Sequence, residues 1–184
     1  MIIKQASLFL AAGFFLTSQN ISAQNEKLTR QERKEVRKAQ LEANFYILDS
    51  LLNSRTFVLK ADYLLNREGT MIPVVSNLNF IKVEGTEGIL QTGSNSGLGY
   101  NGVGGVTAEG NIGSWEISKD SKKLSYTLRF SMITNLGSYD VLMYISADNR
   151  ASATIRGLSP GWLTWQGELY TIKNSIVFKG QETI

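Results

Sequence analysis

The side chains of this 184-residue chain that could do chemistry are carboxylates, hydroxyls, lysines and aromatic rings, because histidine and cysteine are both absent. Without histidine there is no Ser-His-Asp or Cys-His arrangement, no HExxH zinc site and no imidazole proton shuttle. Without cysteine there is no thiol nucleophile, disulfide, iron–sulfur cluster or thiolate zinc site. A serine–lysine dyad of the S-x-x-K type is missing, since no serine stands three positions before a lysine. The EF-hand spacing of acids is missing too. Glu84, Glu87, Glu109 and Glu116 remain as a pool from which a glycosidase-type acid and nucleophile could be drawn. Each lies beside a turn signal or on the wet side of a strand, so they read as solvated carboxylates. The expectation is a protein that is not an enzyme and needs no cofactor or metal, with a carboxylate-based hydrolase as the third reading.

Gly97-Leu98-Gly99-Tyr100-Asn101-Gly102 spells G-x-G-x-x-G, and Asp120 falls near the distance of a ribose-binding acid. A dinucleotide site needs a strand before that motif and a helix after it, so that phosphate meets a helix N-terminus. Val103-Gly104-Gly105-Val106-Thr107 follows instead, and it cannot start a stable helix. The six glycines between residues 93 and 105 therefore predict a surface loop carrying Tyr100, or a closely approached strand edge.

The aromatic residues are the remaining handle. Trp115, Trp162, Trp165, Tyr126, Phe130 and Tyr139 could line a pocket for an apolar or sugar ligand, or they could simply be core. The ligand-binding set expected from the sequence is Tyr100, Trp115, Tyr126, Phe130 and Trp165. Trp162 differs, because Ser159-Pro160-Gly161 places it at a loop end on the face opposite Leu163 and Trp165, available to a partner.

These side chains must be held by strands. From Leu124 to Thr134, Leu124, Tyr126, Leu128, Phe130 and Met132 alternate with polar residues. Asn135 to Ser138 turns, and Tyr139, Val141, Met143, Ile145 and Ala147 resume the alternation. Asp148-Asn149-Arg150 turns again into Ala151, Ala153 and Ile155. Upstream, Phe57, Leu59, Ala61, Tyr63 and Leu65 are expected to share one face. Met71 to Val75 and Leu78 to Glu84 read as a strand pair or one bent strand, with Pro73 restricted to an edge or a strand start. Gly85 to Gly88 turns into Ile89 to Thr92; Trp115 and Ile117 share a face, and Lys119 to Lys123 makes a charged hairpin loop. Near the C-terminus Leu163, Trp165 and Leu169 alternate with polar residues, and Gly167 falls on the apolar side, leaving a space or marking a bend. Eight or nine strands, each apolar on one side, form a mainly β antiparallel meander that must close as a barrel or half-barrel or stack as a sandwich.

One helix precedes them. Thr29 and Glu32 form a capping-box signature, and Leu41, Phe45, Leu48 and Leu52 follow on one narrow face, with Ile47 and Leu51 widening it. This amphipathic helix, within residues 24–53, should dock its second half on the 54–184 β-domain, whose glycine-rich loop spans 93–105. Its first half carries Arg30, Lys34 and Lys38 on one ridge and Arg33 and Arg37 on another. That half could contact an anionic partner or act as a solvated linker. Interleaved Glu32 and Glu35 dilute the field and no aromatic ring interrupts it, which argues against nucleic acid. From Ala43 onward acidic and basic residues are equal, 12 of each.

Residues 1–23 have the layout of a signal peptide: Lys4, an apolar run from Leu8 to Leu16, and Ser22-Ala23 for cleavage. That run is far short of the ~20 residues that span a bilayer, and no other segment approaches the length of a transmembrane segment. The mature chain is expected to be exported.

Several motifs in order resemble a known family. Phe57-Val58-Leu59-Lys60-Ala61-Asp62, Gly104-Gly105-Val106, Tyr126-Thr127-Leu128-Arg129-Phe130, Ser138-Tyr139-Asp140-Val141 and Ala151-Ser152-Ala153-Thr154 are similar to the "domain of unknown function 4251" family over about residues 30 to 170. The family is known chiefly from Bacteroidetes, which implies a Gram-negative periplasm. It carries no established activity, so no catalytic positions come with the resemblance. The chain departs from the pattern near Leu163 to Leu169, where two tryptophans, Trp162 and Trp165, stand. The functional expectation is a periplasmic β-domain of lipocalin-like size that binds a small apolar or amphipathic ligand inside the sheet. The alternative is an envelope protein-interaction module using Arg30, Lys34, Lys38, the glycine loop and Trp162.

Overall fold

The computed structural model describes residues 29–94, 102–157 and 161–183. Helix α1 (Arg30–Ser54) begins as its capping box requires. The Glu32 N–H donates to Thr29 Oγ1, and the Thr29 N–H donates to Glu32 Oε2 at 2.6 Å, which holds the Glu32 carboxyl below its ordinary range. The helix ends at Arg55 in the left-handed region (φ 53°), where its N–H closes on the carbonyls of Leu51 and Leu52. The chain then reverses directly into the first strand.

Nine strands follow: β1 (Thr56–Leu65), β2 (Met71–Pro73), β3 (Phe80–Glu84), β4 (Glu87–Gln91), β5 (Thr107–Asp120), β6 (Ser125–Thr134), β7 (Gly137–Ser146), β8 (Arg150–Arg156) and β9 (Trp162–Tyr170). Neighbours in sequence pair antiparallel from β3 to β9, and β9 pairs back onto β1, closing the sheet. Strands β2 and β3 share one edge of β1, with β2 opposite Tyr63–Leu65 and β3 opposite Thr56–Lys60. They are one bent strand position interrupted at residues 74–79, so the nine strands make an eight-position barrel. Closure pairs both edges of β1 and β9 and removes the free ends a flat meander would expose.

The barrel is filled from within. Phe57, Leu59, Ile81, Val83, Tyr126, Leu128, Met132, Met143, Ile145 and Trp165 form one core with Phe45, Leu48 and Leu52 of α1. Large and small side chains complement each other across register. Trp165 on β9 stands opposite Ala153 on β8, and Ala61 on β1 stands opposite Gly167 on β9. The second half of α1 lies over the end of the barrel where β1 and β6 begin, as expected from its apolar face. Among the described residues no helix is long and apolar enough to cross a membrane.

Two features depart from the simple alternation. In β1 the register against β9 shifts between Ala61 and Tyr63, leaving Asp62 as the extra residue of a β-bulge. Every side chain after it changes face, so Leu64 joins the core and Tyr63 turns outward, 43% exposed. The expected inward stripe through Tyr63 and Leu65 is thus corrected beyond Asp62, where both residues leave the inner face. Opposite the bulge, a Cβ on Gly167 would meet the Lys60 carbonyl oxygen at 1.9 Å, so this glycine marks a close backbone approach. Strand β5 also begins earlier than the sequence suggests, since Gly110 and Gly113 weaken its pattern. A second bulge between Ile112 and Trp115 keeps Trp115 on the inner side.

The C-terminal segment after a 3₁₀ turn at Ile172–Asn174 crosses the outside of β3, β4 and β5. There it covers Phe80, Gln91 and Thr107, one register row whose members are fully buried although they face outward. Gln91 joins the layers. Its Nε2 donates to the carbonyls of Leu78 (3.1 Å) and Phe178 (2.7 Å), and its Oε1 accepts from Thr107 Oγ1 (3.0 Å) and the Gly180 N–H (2.8 Å).

Candidate binding site

The aromatic residues expected to line an internal pocket are part of the packing. Tyr126 and Trp165 are each 1% exposed and Phe130 is 2% exposed. Trp115 is half-buried between Phe57 and Phe130, with ring centroids 6.2 and 5.3 Å away, and the Arg55 guanidinium covers it at 5.0 Å. The indole N–H groups of Trp115 and Trp165 are buried without a hydrogen-bond partner among the described residues. Tyr100 lies outside the described residues, as does most of the Gly97–Gly102 motif.

Tyr126 has a structural task at the helix-capped end. Its hydroxyl lies 3.0 Å from both the Phe45 carbonyl oxygen and Asp49 Oδ1, and its ring packs on Phe45 at 4.7 Å. Lys119 Nζ donates to Asp49 Oδ1 at 3.0 Å while lying over the rings of Phe45, Tyr126 and Tyr46 at 4.9, 5.6 and 5.8 Å. The lysine, then the tyrosine hydroxyl, hold the Asp49 carboxyl below its ordinary range. The Asp49 partner raises the Lys119 ammonium above its own, and burial first, then Asp49, raises the Tyr126 phenol. This cluster ties α1 to the barrel.

The open concave surface of the barrel lies on its outer wall. Register places Thr127, Tyr144, Ser152, Gln166 and Tyr63 in one row across β6, β7, β8, β9 and β1. Tyr144, 55% exposed, and Tyr63 stand at either side of the shorter Ser152 and Gln166. Three strand spacings of 4.7–4.9 Å put the two tyrosines about 14 Å apart along the wall. Between them runs a groove of about 660 Å³, which continues to Asp62, Arg150, Ser146 and Glu168. Its rim is fixed by hydrogen bonds. Asp148 accepts from the Ser146 hydroxyl and the Arg150 N–H, and the first of these holds its carboxyl low. The Tyr170 hydroxyl donates to Glu168 Oε2 at 2.6 Å, which together with burial pushes that phenol up to about 12.

Tyr144 also borders a second open groove of about 700 Å³, reaching Glu116, Arg129, Asp140, Arg156 and Trp162. Trp162 is 45% exposed, as its loop-end position suggested, with the Arg67 guanidinium over its ring at 5.9 Å. A third concavity of about 300 Å³ is bordered by Glu84, Glu87 and Glu109. Glu84 pairs with Lys82 at 2.6 Å and Glu109 with Lys179 at 2.7 Å. On α1, Arg30, Lys34 and Lys38 are exposed, and Lys38 meets Glu42 at 3.8 Å. Among the described residues no group of three or more acidic side chains converges to hold a metal ion.

Sequence reasoning missed the Tyr63–Tyr144 pairing. Tyr144 was on the outward side of an alternating strand, but Tyr63 reaches that side only through the Asp62 bulge, which the residue pattern does not announce.

Fold and surface together define a class: a closed antiparallel meander barrel, capped at one end by an N-terminal helix, packed within and grooved on its wall. The chain belongs to the DUF4251 family, "Domain of unknown function (DUF4251)", whose model matches residues 39–169. It is similar to a crystal structure of a DUF4251 family protein from Bacteroides eggerthii DSM 20697, with 28% sequence identity and a TM-score of 0.59. The match covers 72% of this chain and 91% of the other. That source agrees with the Bacteroidetes lineage the motifs implied. No curated protein matches the chain.

Proposed function

We propose that the protein is an exported, non-enzymatic binding module of the cell envelope, and that its ligand sits on the barrel wall between Tyr63 and Tyr144. The observation that carries this reading is the contrast between a core of residues almost wholly withdrawn from solvent and an open groove of about 660 Å³ outside it. A ligand enclosed by Trp115, Tyr126, Phe130 and Trp165 would have to displace side chains packed against one another, at the cost of their mutual contacts. The wall groove needs no rearrangement. Export is supported by the signal-like pattern of residues 1–23. A carboxylate hydrolase is disfavoured by the lysine partners of Glu84 and Glu109, because a general acid is normally kept protonated in an apolar, unpaired setting.

Photo-crosslinking in cells tests the site. Ser152→p-benzoylphenylalanine should yield an adduct that the same substitution at the exposed wall residue Ser118 does not. Equal labelling at both positions, or none at Ser152, overturns the reading. N-terminal sequencing of the protein from the periplasmic fraction should begin at Gln24; an intact Met1 in the cytoplasm would contradict export.

A second reading is favoured by the helix. The chain from Arg30 to Gln40 is wholly exposed, and Tyr46 and Ile47 remain exposed beyond it. This surface suits a protein partner. Deleting residues 24–40 should remove crosslinked partners, and an unchanged set would exclude the helix.

A further inference from the structure

Building on the wall groove as the binding surface, we infer that its ligand is a neutral oligosaccharide. Two exposed tyrosine rings, Tyr63 and Tyr144, line the groove in one register row, with Ser152 and Gln166 between them and Thr127 beyond Tyr144. A pyranose presents a flat face of C–H groups that packs on an aromatic ring and an edge of hydroxyls that need donors and acceptors. The floor supplies those partners: the Ser152 hydroxyl, the Gln166 amide, the Asp62 carboxylate and the Arg150 guanidinium. Two rings, with hydroxyl-binding groups between and beside them, match that alternation.

The same side chains exclude the other occupants. The ionised groups of the groove are Asp62, Glu168 and Arg150, a net negative set that opposes phosphates, uronates and nucleic acid. Among the described residues no leucine or valine lines it, and Ile145 points into the core, so the groove offers no aliphatic trough for an acyl chain or an amphipathic helix. An extended peptide most readily adds to an unpaired strand edge, and along this row β7, β8 and β9 are paired on both sides. A polyhydroxylated, uncharged chain satisfies all three constraints.

The test uses purified full-length protein and defined probes: cellohexaose, xylohexaose, mannohexaose, maltohexaose and chitohexaose as neutral chains, with oligogalacturonate as the anionic one. Isothermal titration should show saturable binding to at least one neutral chain and weaker binding to the anionic one. Tyr63→Ala and Tyr144→Ala should each weaken the neutral interaction about tenfold, while Tyr144→Phe, which keeps the ring, should stay within about threefold of the parent. Thermal melting checks that each variant is folded. No saturable binding to any neutral chain, binding unaffected by either alanine variant, or preference for oligogalacturonate overturns the inference. Its failure is distinguishable from failure of the groove itself. A protease-sensitive adduct at Ser152 with no glycan binding removes the glycan and keeps the groove; absence of both adduct and binding removes both.

Discussion

The two outer walls of this barrel receive opposite treatment. Across β3, β4 and β5 the row Phe80, Gln91 and Thr107 lies beneath the C-terminal segment, with every polar position of the Gln91 amide satisfied. Across β6 to β9 and β1 the row Thr127, Tyr144, Ser152, Gln166 and Tyr63 is uncovered, although it holds two large aromatic residues. Burial of the first wall adds stability. The second leaves two tyrosine rings exposed and forgoes the stabilisation that covering them would bring; under the proposed function it is the wall available to a ligand.

The largest expected effect is in the core that both walls share. Trp165→Ala should destabilise the fold by about 3–5 kcal/mol, because Ala153, opposite it on β8, is too small to fill the space. Chemical denaturation measures it. A loss below 1 kcal/mol would mean that the interior is loosely filled, and would weaken the contrast with the open wall.

Next is the covered wall. Gln91→Leu keeps the bulk but strands the Phe178 carbonyl and the Gly180 and Thr107 donors, so a loss of about 1–3 kcal/mol is expected. Faster amide exchange at Gly180 and Thr183 should accompany it, since both hang from this row. Unchanged exchange there would show that the segment does not depend on Gln91.

The helix tether is smaller, and its sign follows from the charges. Asp49 is held low by Lys119, so its contribution is present above the ordinary aspartate value of roughly 4 and disappears as pH falls through the lowered one. Lys119 is held high, so its share is present below roughly 10.4 and is lost as pH rises through the raised ammonium value. Asp49→Ala should cost about 1 kcal/mol near neutrality and flatten the acid limb of a stability–pH curve. An unchanged acid limb in the variant would remove Asp49 from that account.

Smallest of all should be the open wall. Tyr144→Ala is expected to change stability by no more than about 0.5 kcal/mol, because the ring touches solvent, while ligand binding falls. A large stability loss would make Tyr144 structural and erase the distinction between the walls.

Most of the barrel was legible in the residues. The alternation from Tyr126 to Met132, Tyr139 to Ile145 and Ala151 to Ile155 placed their inner faces correctly, and Thr29 with Glu32 fixed the helix start. Closure of β1 on β9 was not legible, because pairing partners far apart in sequence leave no local trace. Gln91 gave no signal, being one polar residue at a strand end whose partners come from Phe178 and Gly180. The groove was hidden for a sharper reason. Strict alternation sends Tyr63 inward, and only the bulge at Asp62, enforced where Gly167 meets the Lys60 carbonyl, turns it out beside Tyr144's row. The aromatic residues that stood out, Trp115, Tyr126, Phe130 and Trp165, stood out because cores are rich in such side chains.

The indole N–H groups of Trp115 and Trp165, buried and without a hydrogen-bond partner among the described residues, make an internal reporter for the central claim. A ¹H–¹⁵N NMR titration with the tightest-binding neutral oligosaccharide should shift the backbone amides of Tyr63, Tyr144, Ser152 and Gln166 and leave both indole signals in place. Movement of the Trp115 and Trp165 indole signals with the wall amides unchanged would put the ligand inside the barrel and contradict the account.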